Sequence, residues 1–188
     1  MLIQAIDSYL EARPPDDRAK NCFHPSSLHK TAEELHRLYH QGDNSEPFEP
    51  RIKRVFDNGH KVHSRLLFYL AEAGILKDED VLVHDADLEI HGHIDGLIEL
   101  GGQQGILEIK SINASGFDFL MGPKPEHLYQ LNAYMHCLKI PRGALLYECK
   151  NSQKLKEFYV GPDEAILEDI IRKIRTVQQW NREGGITA

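Results

Sequence analysis

The sequence predicts an α/β fold: a central mixed sheet flanked by helices. The observation behind it is a change of period. Apolar residues recur at helical spacing as far as about position 73. They alternate with a period of two from about 80 to 112, and again in two short runs after 143. Helical spacing returns between the two strand regions and once more after 161. The resulting order is helices, three strands, a helix, two strands, a helix. A sheet with helices packed on its faces satisfies that order.

The elements follow along the chain. In "MLIQAIDSYLEAR" the positions Leu2, Ile3, Ile6, Tyr9 and Leu10 fit an amphipathic helix. "EARPPDDRAKN" reads as a loop, with two prolines and mixed charge. "SSLHKTAEELHRLYHQ" reads as a helix capped by Ser26 or Ser27, and "GDNSEPFEP" as a second loop. From Arg51 to Ala73 a longer helix is expected, with Gly74 closing it. "DVLVHDADLEIHGHIDGLIEL" reads as two strands about a tight turn near Asp85, "GGQQG" as a hairpin turn and "ILEIKSI" as the returning strand. "PEHLYQLNAYMHCLK" is helical, and "GALLYEC" and "KLKEFYV" are strands. In the last helix Pro162 suits the first turn, and Ile166, Leu167, Ile170, Ile171, Ile174 and Val177 form the apolar stripe.

A chain of 188 residues is expected to form one domain over 1–188. It divides into a helical segment (1–50), a core (51–160) and a final helix (161–188). The composition has no apolar run of membrane-spanning length and no basic-then-apolar leader. Cys22, Cys137 and Cys149 are scattered and odd in number, which argues against a disulfide framework and for a cytoplasmic location. A net charge of −7 argues against a protein coated in nucleic acid, while suiting a site that gathers carboxylates around a divalent cation.

Three charged residues stand in strands where charge is costly: Asp95 in "HIDG", then Glu108 and Lys110 in "LEIK". Alternation puts Glu108 and Lys110 on one face and Leu107 and Ile109 on the other. A hairpin pivoting on "GGQQG" pairs positions that sum to about 205. Asp95 then lies opposite Lys110, with Glu108 diagonal to it. Two close carboxylates need a counter-cation. Carboxylates with waters and a backbone carbonyl, here that of Ile109, are what Mg²⁺ or Mn²⁺ prefers. An E-x-K strand equally describes a solvated face with a surface ion pair. His63 lies on an apolar helix face, where a satisfied core histidine is common. Gln130 and Tyr134 are four apart on a helix and share a face.

Taken in order, "GHKVH", "GHID", "EIK" and "QLNAY" resemble the PD-(D/E)XK nuclease superfamily, and within it the RecB-like exonuclease branch. That branch includes nuclease domains of bacterial recombination enzymes, CRISPR-associated adaptation exonucleases and the mitochondrial genome-maintenance exonuclease. The resemblance covers about positions 56–138. It implies a restriction-endonuclease-like αβββαβ core and metal-dependent hydrolysis of phosphodiester bonds in DNA, in recombination, repair or replication. It implies Asp95, Glu108, Lys110, Gln130 and Tyr134 as catalytic residues, and His63, Asp95, Glu108 and the Ile109 carbonyl around Mg²⁺ or Mn²⁺. Lys110 acts either as a base or as a protonated electrostatic clamp.

Iron–sulfur members of the branch carry a cysteine about where Thr31 stands, together with a C-terminal cysteine cluster. This chain has no cysteine after Cys149, so no iron–sulfur cluster is expected. The proline of the superfamily motif is also missing, because Ile94 precedes Asp95.

Arg54, Lys61 and Arg65 on one helix face, with Lys124, are candidates for DNA phosphate contacts, and equally describe a solvated face. DNA ends are the expected substrate, with a protein partner or a second copy of the chain assisting. Two other readings stay open: an endonuclease on the same fold, and a non-catalytic nucleic-acid-binding or assembly protein.

Overall fold

The computed structural model describes residues 1–14, 19–41 and 48–184. Both expected loops fall partly outside these residues. Helix α1 spans Leu2–Ala12, α2 Ala32–Gln41 and α3 Pro50–Glu72. Three strands follow: β1 Leu76–Asp85, β2 Ile90–Leu100 and β3 Gln103–Ile112. A short α4 (Ala114–Asp118) and α5 (Pro125–Leu138) lead to β4 (Gly143–Cys149) and β5 (Leu155–Val160). The last helix, α6, spans Glu164–Glu183.

The five strands lie in the order β1-β2-β3-β4-β5. Only the β3–β4 pair is parallel, and α4 and α5 form the crossover that parallel neighbours require. The expected mixed sheet flanked by helices is the observed architecture.

Strand alternation decides what each helix covers. On β3, Ile106 packs with Leu131 and Tyr134 of α5, together with Leu145 and Tyr147. Its neighbours Leu107 and Ile109 pack with Val62, Leu66 and Leu67 of α3. Helices α3 and α5 therefore hold opposite faces of the sheet. A third apolar cluster joins Leu28 and Leu35 to Ile170, Ile174 and Val177, seating α2 against α6.

Several expectations are corrected. The hairpin turns on Gly101 and Gly102 alone, with Leu100 paired to Gln103. Both glycines adopt positive φ (58° and 75°), the backbone of a two-residue turn whose twist matches the strands. The turn therefore pivots one residue earlier than "GGQQG" suggests, and β3 slips by two relative to the expected register. Gly96 pairs with Leu107, so the ladder runs toward Asp95 and Glu108 rather than toward Asp95 and Lys110. A slip of two preserves the faces.

The cap of α2 is Thr31 and not Ser26 or Ser27, which lie in a 3-10 turn over Pro25–Ser27. The Thr31 hydroxyl accepts from the Glu34 N–H while the Glu34 carboxylate accepts from the Thr31 N–H, a reciprocal capping box. Pro162 precedes α6 instead of entering it; Asp163 caps the helix by accepting from the Ile166 N–H. Helix α4 was not expected at all. Of the apolar positions of α1, only Leu10 is buried.

Candidate active site

The site forms where β2 parts from β3. Gly96↔Leu107 is the last pair of that ladder. Two residues farther along β3, on the side where β2 has parted, the Ile109 N–H donates to Asp95 Oδ2 at 2.6 Å. The other oxygen, Oδ1, lies 3.0 Å from His63 Nδ1, presented by α3. A carboxylate in the middle of β2 thus links the sheet to the helix on its α3 face.

Glu108 and Lys110 emerge on the α5 face. Glu108 is 2% exposed, and its Oε2 accepts from Lys110 Nζ at 2.8 Å. Lys110 Nζ also donates to Gln130 Oε1 at 3.0 Å. Gln130 Nε2 donates to Tyr134 Oη at 3.4 Å, and Tyr134 donates in turn to the His93 carbonyl at 2.7 Å. The spacing of four on α5 aligns Gln130 and Tyr134 for this chain. Gly92 gives Tyr134 its room: a Cβ there would stand 3.2 Å from the phenol oxygen and 2.9 Å from Pro25 Cδ.

The electrostatics follow from burial. Burial pushes the Glu108 carboxyl up to about 7, against the opposing pull of Lys110 and with the Asp95 charge adding to the rise. Burial alone would lower Lys110, but the Glu108 and Asp95 carboxylates outweigh it and hold the ammonium above its ordinary range. Lys110 is therefore protonated in this arrangement. Burial also raises the Tyr134 hydroxyl, which stays a donor.

One oxygen is left over. Among the described residues only His36 Nε2 and Glu108 Oε1 are buried side-chain polar atoms without a partner. An orphaned carboxylate oxygen beside a second carboxylate is the expected state of an oxygen-rich cation site in a protein without its ion. Among the described residues no three His, Cys, Asp or Glu side chains stand together as a ready-made cluster. His63, Asp95 and Glu108, expected together around one ion, are therefore not assembled as such a cluster; the shell a hard cation takes can also be made of two carboxylates, a backbone carbonyl and waters. Asp95, Glu108 and the Ile109 carbonyl fit such an ion. His63 already rests on Asp95 through Nδ1.

No protein-family profile matches the chain, and no curated protein matches it in sequence. Solved structures do match in shape. An alkaline exonuclease from Laribacter hongkongensis aligns with a TM-score of 0.61 over 96% of this chain and 97% of that one, at 15% identity. Its complex with dAMP aligns at 0.62 and 16% identity, over 96% and 97% of the two chains. A phage-related exonuclease from Haemophilus somnus 129PT aligns at 0.62 over 86% and 93%, at 12% identity. The chain has the fold of these exonucleases. At such identities the likeness is one of fold.

The structure brings His63, Asp95, Glu108, Ile109, Lys110, Gln130 and Tyr134 into one connected group. It does not do so for the four basic candidates. Arg54 pairs with Asp7 of α1. Arg65 binds both oxygens of Glu148 on β4, at 2.8 and 2.7 Å. Lys61 is exposed on α3. Lys124 precedes α5 on the Lys110 side, 3.9 Å from Glu126. Beside Asp95 on the α3 side lies an open groove of about 870 Å³ lined by His60, His63, Ser64 and the acidic run Asp78, Glu79 and Asp80.

Two residues near the site escaped the sequence reading. His127 contacts the buried Tyr147, and the Lys110 charge acts on its ring. His127 is three positions before Gln130, a spacing that already places it on the same helix face. Tyr147 carries no such signal.

Proposed function

We propose that this protein is a divalent-metal-dependent deoxyribonuclease that degrades DNA from its ends, an exonuclease of the RecB-like branch of the PD-(D/E)XK superfamily. A role in recombination, repair or replication goes with that reading. One observation carries it: a buried Glu108 shares one oxygen with Lys110, leaves the other orphaned, and stands beside Asp95 at a strand fork. A surface ion pair would have no reason for burial or for the orphan. The shape shared with two exonucleases supports the same reading.

Asp95, Glu108 and the Ile109 carbonyl would hold Mg²⁺ or Mn²⁺, with His63 available as a nitrogen donor if its ring turns from Asp95. Such an ion, held by these residues, would supply an acidified water and neutralisation of phosphate charge. The chain's own groups do the rest. Lys110, kept charged by two carboxylates, stabilises the anionic phosphate as negative charge develops. Gln130 holds the ammonium in place, and Tyr134 holds Gln130. Asp95 is oriented from two sides, by the Ile109 N–H and by His63.

The test uses end-labelled linear single- and double-stranded DNA beside closed circles, with Mg²⁺, Mn²⁺ or EDTA. Glu108→Ala and Lys110→Ala run in parallel. Loss of linear DNA that spares circles, needs the metal and vanishes in both variants supports the exonuclease. Cutting of circles means an endonuclease. Folded, metal-loaded protein that cuts nothing means a non-catalytic binding or assembly role.

A further inference from the structure

We infer that His127 and Lys124 form a phosphate-holding subsite on the α5 side of the candidate site, with His127 acting as a neutral N–H donor. The inference rests on the nuclease reading and names the side from which the nucleic acid is held.

The argument is one of proton accounting. Tyr147 is fully buried, at 0% exposure. Its oxygen accepts from the Lys124 backbone N–H at 3.1 Å and lies 2.7 Å from His127 Nδ1. Among the described residues the Tyr147 hydroxyl proton has no other acceptor, and leaving it unmade in the core would be costly. It therefore goes to Nδ1, which must be unprotonated. Burial, with Lys110 adding to it, pushes the ring down to about 4, so the imidazole is neutral at ordinary pH. A neutral imidazole with a bare Nδ1 carries its proton on Nε2.

That Nε2–H is free to meet a ligand. Only two buried side-chain atoms among the described residues lack partners, and His127 Nε2 is neither. With no partner among the described residues, it is reached by solvent. The groups that act on the ring are Lys110, Lys124 and His29, with Glu126 the one opposing charge. On the other side of Asp95 the groove wall is Asp78, Glu79 and Asp80. A polyanion is drawn to the first side and repelled from the second. A fixed neutral donor between cations suits a non-bridging phosphate oxygen, because it gives direction without adding to the charge that must be desolvated.

The experiment has two arms. In the first, ¹⁵N-labelled protein is used to read the His127 tautomer in the wild type and in Tyr147→Phe. The wild type should show Nε2–H with a bare Nδ1, and Tyr147→Phe a mixture of tautomers. In the second, a fluorescent oligonucleotide is titrated in EDTA at several salt concentrations. His127→Phe should weaken binding about tenfold with an unchanged salt slope, since a neutral donor is lost. His127→Gln, which keeps a donor near the Nε2 position, should recover most of it. Lys124→Gln should lower the salt slope by about one.

An Nδ1–H tautomer in the wild type overturns the inference. So does binding by His127→Phe that equals the wild type while the wild type still cleaves DNA; the nuclease reading then stands without it. A wild type that neither binds nor cuts DNA overturns both.

Discussion

Two buried glutamates on adjacent strands behave differently. Glu108 on β3 and Glu148 on β4 are both 2% exposed, and each faces a cation. Glu148 is closed off: both its oxygens accept from Arg65 Nη2. Glu108 is open: one oxygen accepts from Lys110, and among the described residues the other has no partner within hydrogen-bonding geometry, the Asp95 backbone N–H being the one further donor that acts on the carboxylate. The first pair ties β4 to α3. The second leaves a charge half-answered at the fork of β2 and β3, which a purely structural pair has no reason to do. Satisfaction, rather than burial or pairing, separates the closed carboxylate from the one proposed to hold a cation.

The comparison breaks most visibly in activity. Lys110→Ala should lower the rate on linear DNA by about 10³-fold, the scale for losing a preorganised electrostatic group. Arg65→Met should instead leave the chemistry in place and destabilise the fold by about 3 kcal/mol, because it strands the Glu148 charge in the core. Urea unfolding checks this, and Arg65→Met with Glu148→Leu should recover most of the loss.

Glu108→Gln should do the reverse: abolish cleavage while stabilising the ion-free protein. The sign follows from linkage. A carboxyl raised from 4.5 to about 7 binds its proton more tightly when folded, so stability falls as pH rises between those values. Above pH 7 the cost reaches up to about 3 kcal/mol, and Gln removes it. A thermal melt at pH 8 should rise by several degrees in the variant, at about 2–4 °C per kcal/mol for a chain of this size. At pH 4 the two should melt together. The smallest effect is expected for Gln130→Met, which loosens Lys110 without removing it. It should reduce kcat about tenfold while leaving unfolding by urea nearly unchanged.

Much of the site is periodic, and periodicity is legible. Glu108 and Lys110 share a face because strands alternate; Gln130 and Tyr134 share one because helices repeat every 3.6 residues. The sheet flanked by helices follows from the same two periods. The register was not legible, because Gly101-Gly102 and the longer "GGQQG" are both good turns. Only the strand pairing distinguishes them. Nor was the role of Arg65, which as sequence is a basic residue on a helix face. Its partner is 83 residues away, and only the seating of α3 on the sheet brings them together. Nothing in the sequence signals that the Tyr147 hydroxyl meets His127.

Calorimetric titration of Mn²⁺ into the wild type and Glu108→Gln at pH 7, in buffers of differing ionisation enthalpy, tests the central claim most directly. The account predicts saturable binding that releases protons, because burial raises the Glu108 carboxyl and an ion must displace the proton it retains. Both the binding and the proton release should be lost in Glu108→Gln. Equal binding by the two proteins, or none by the wild type, would contradict the claim that the orphaned oxygen of Glu108 is kept for a cation.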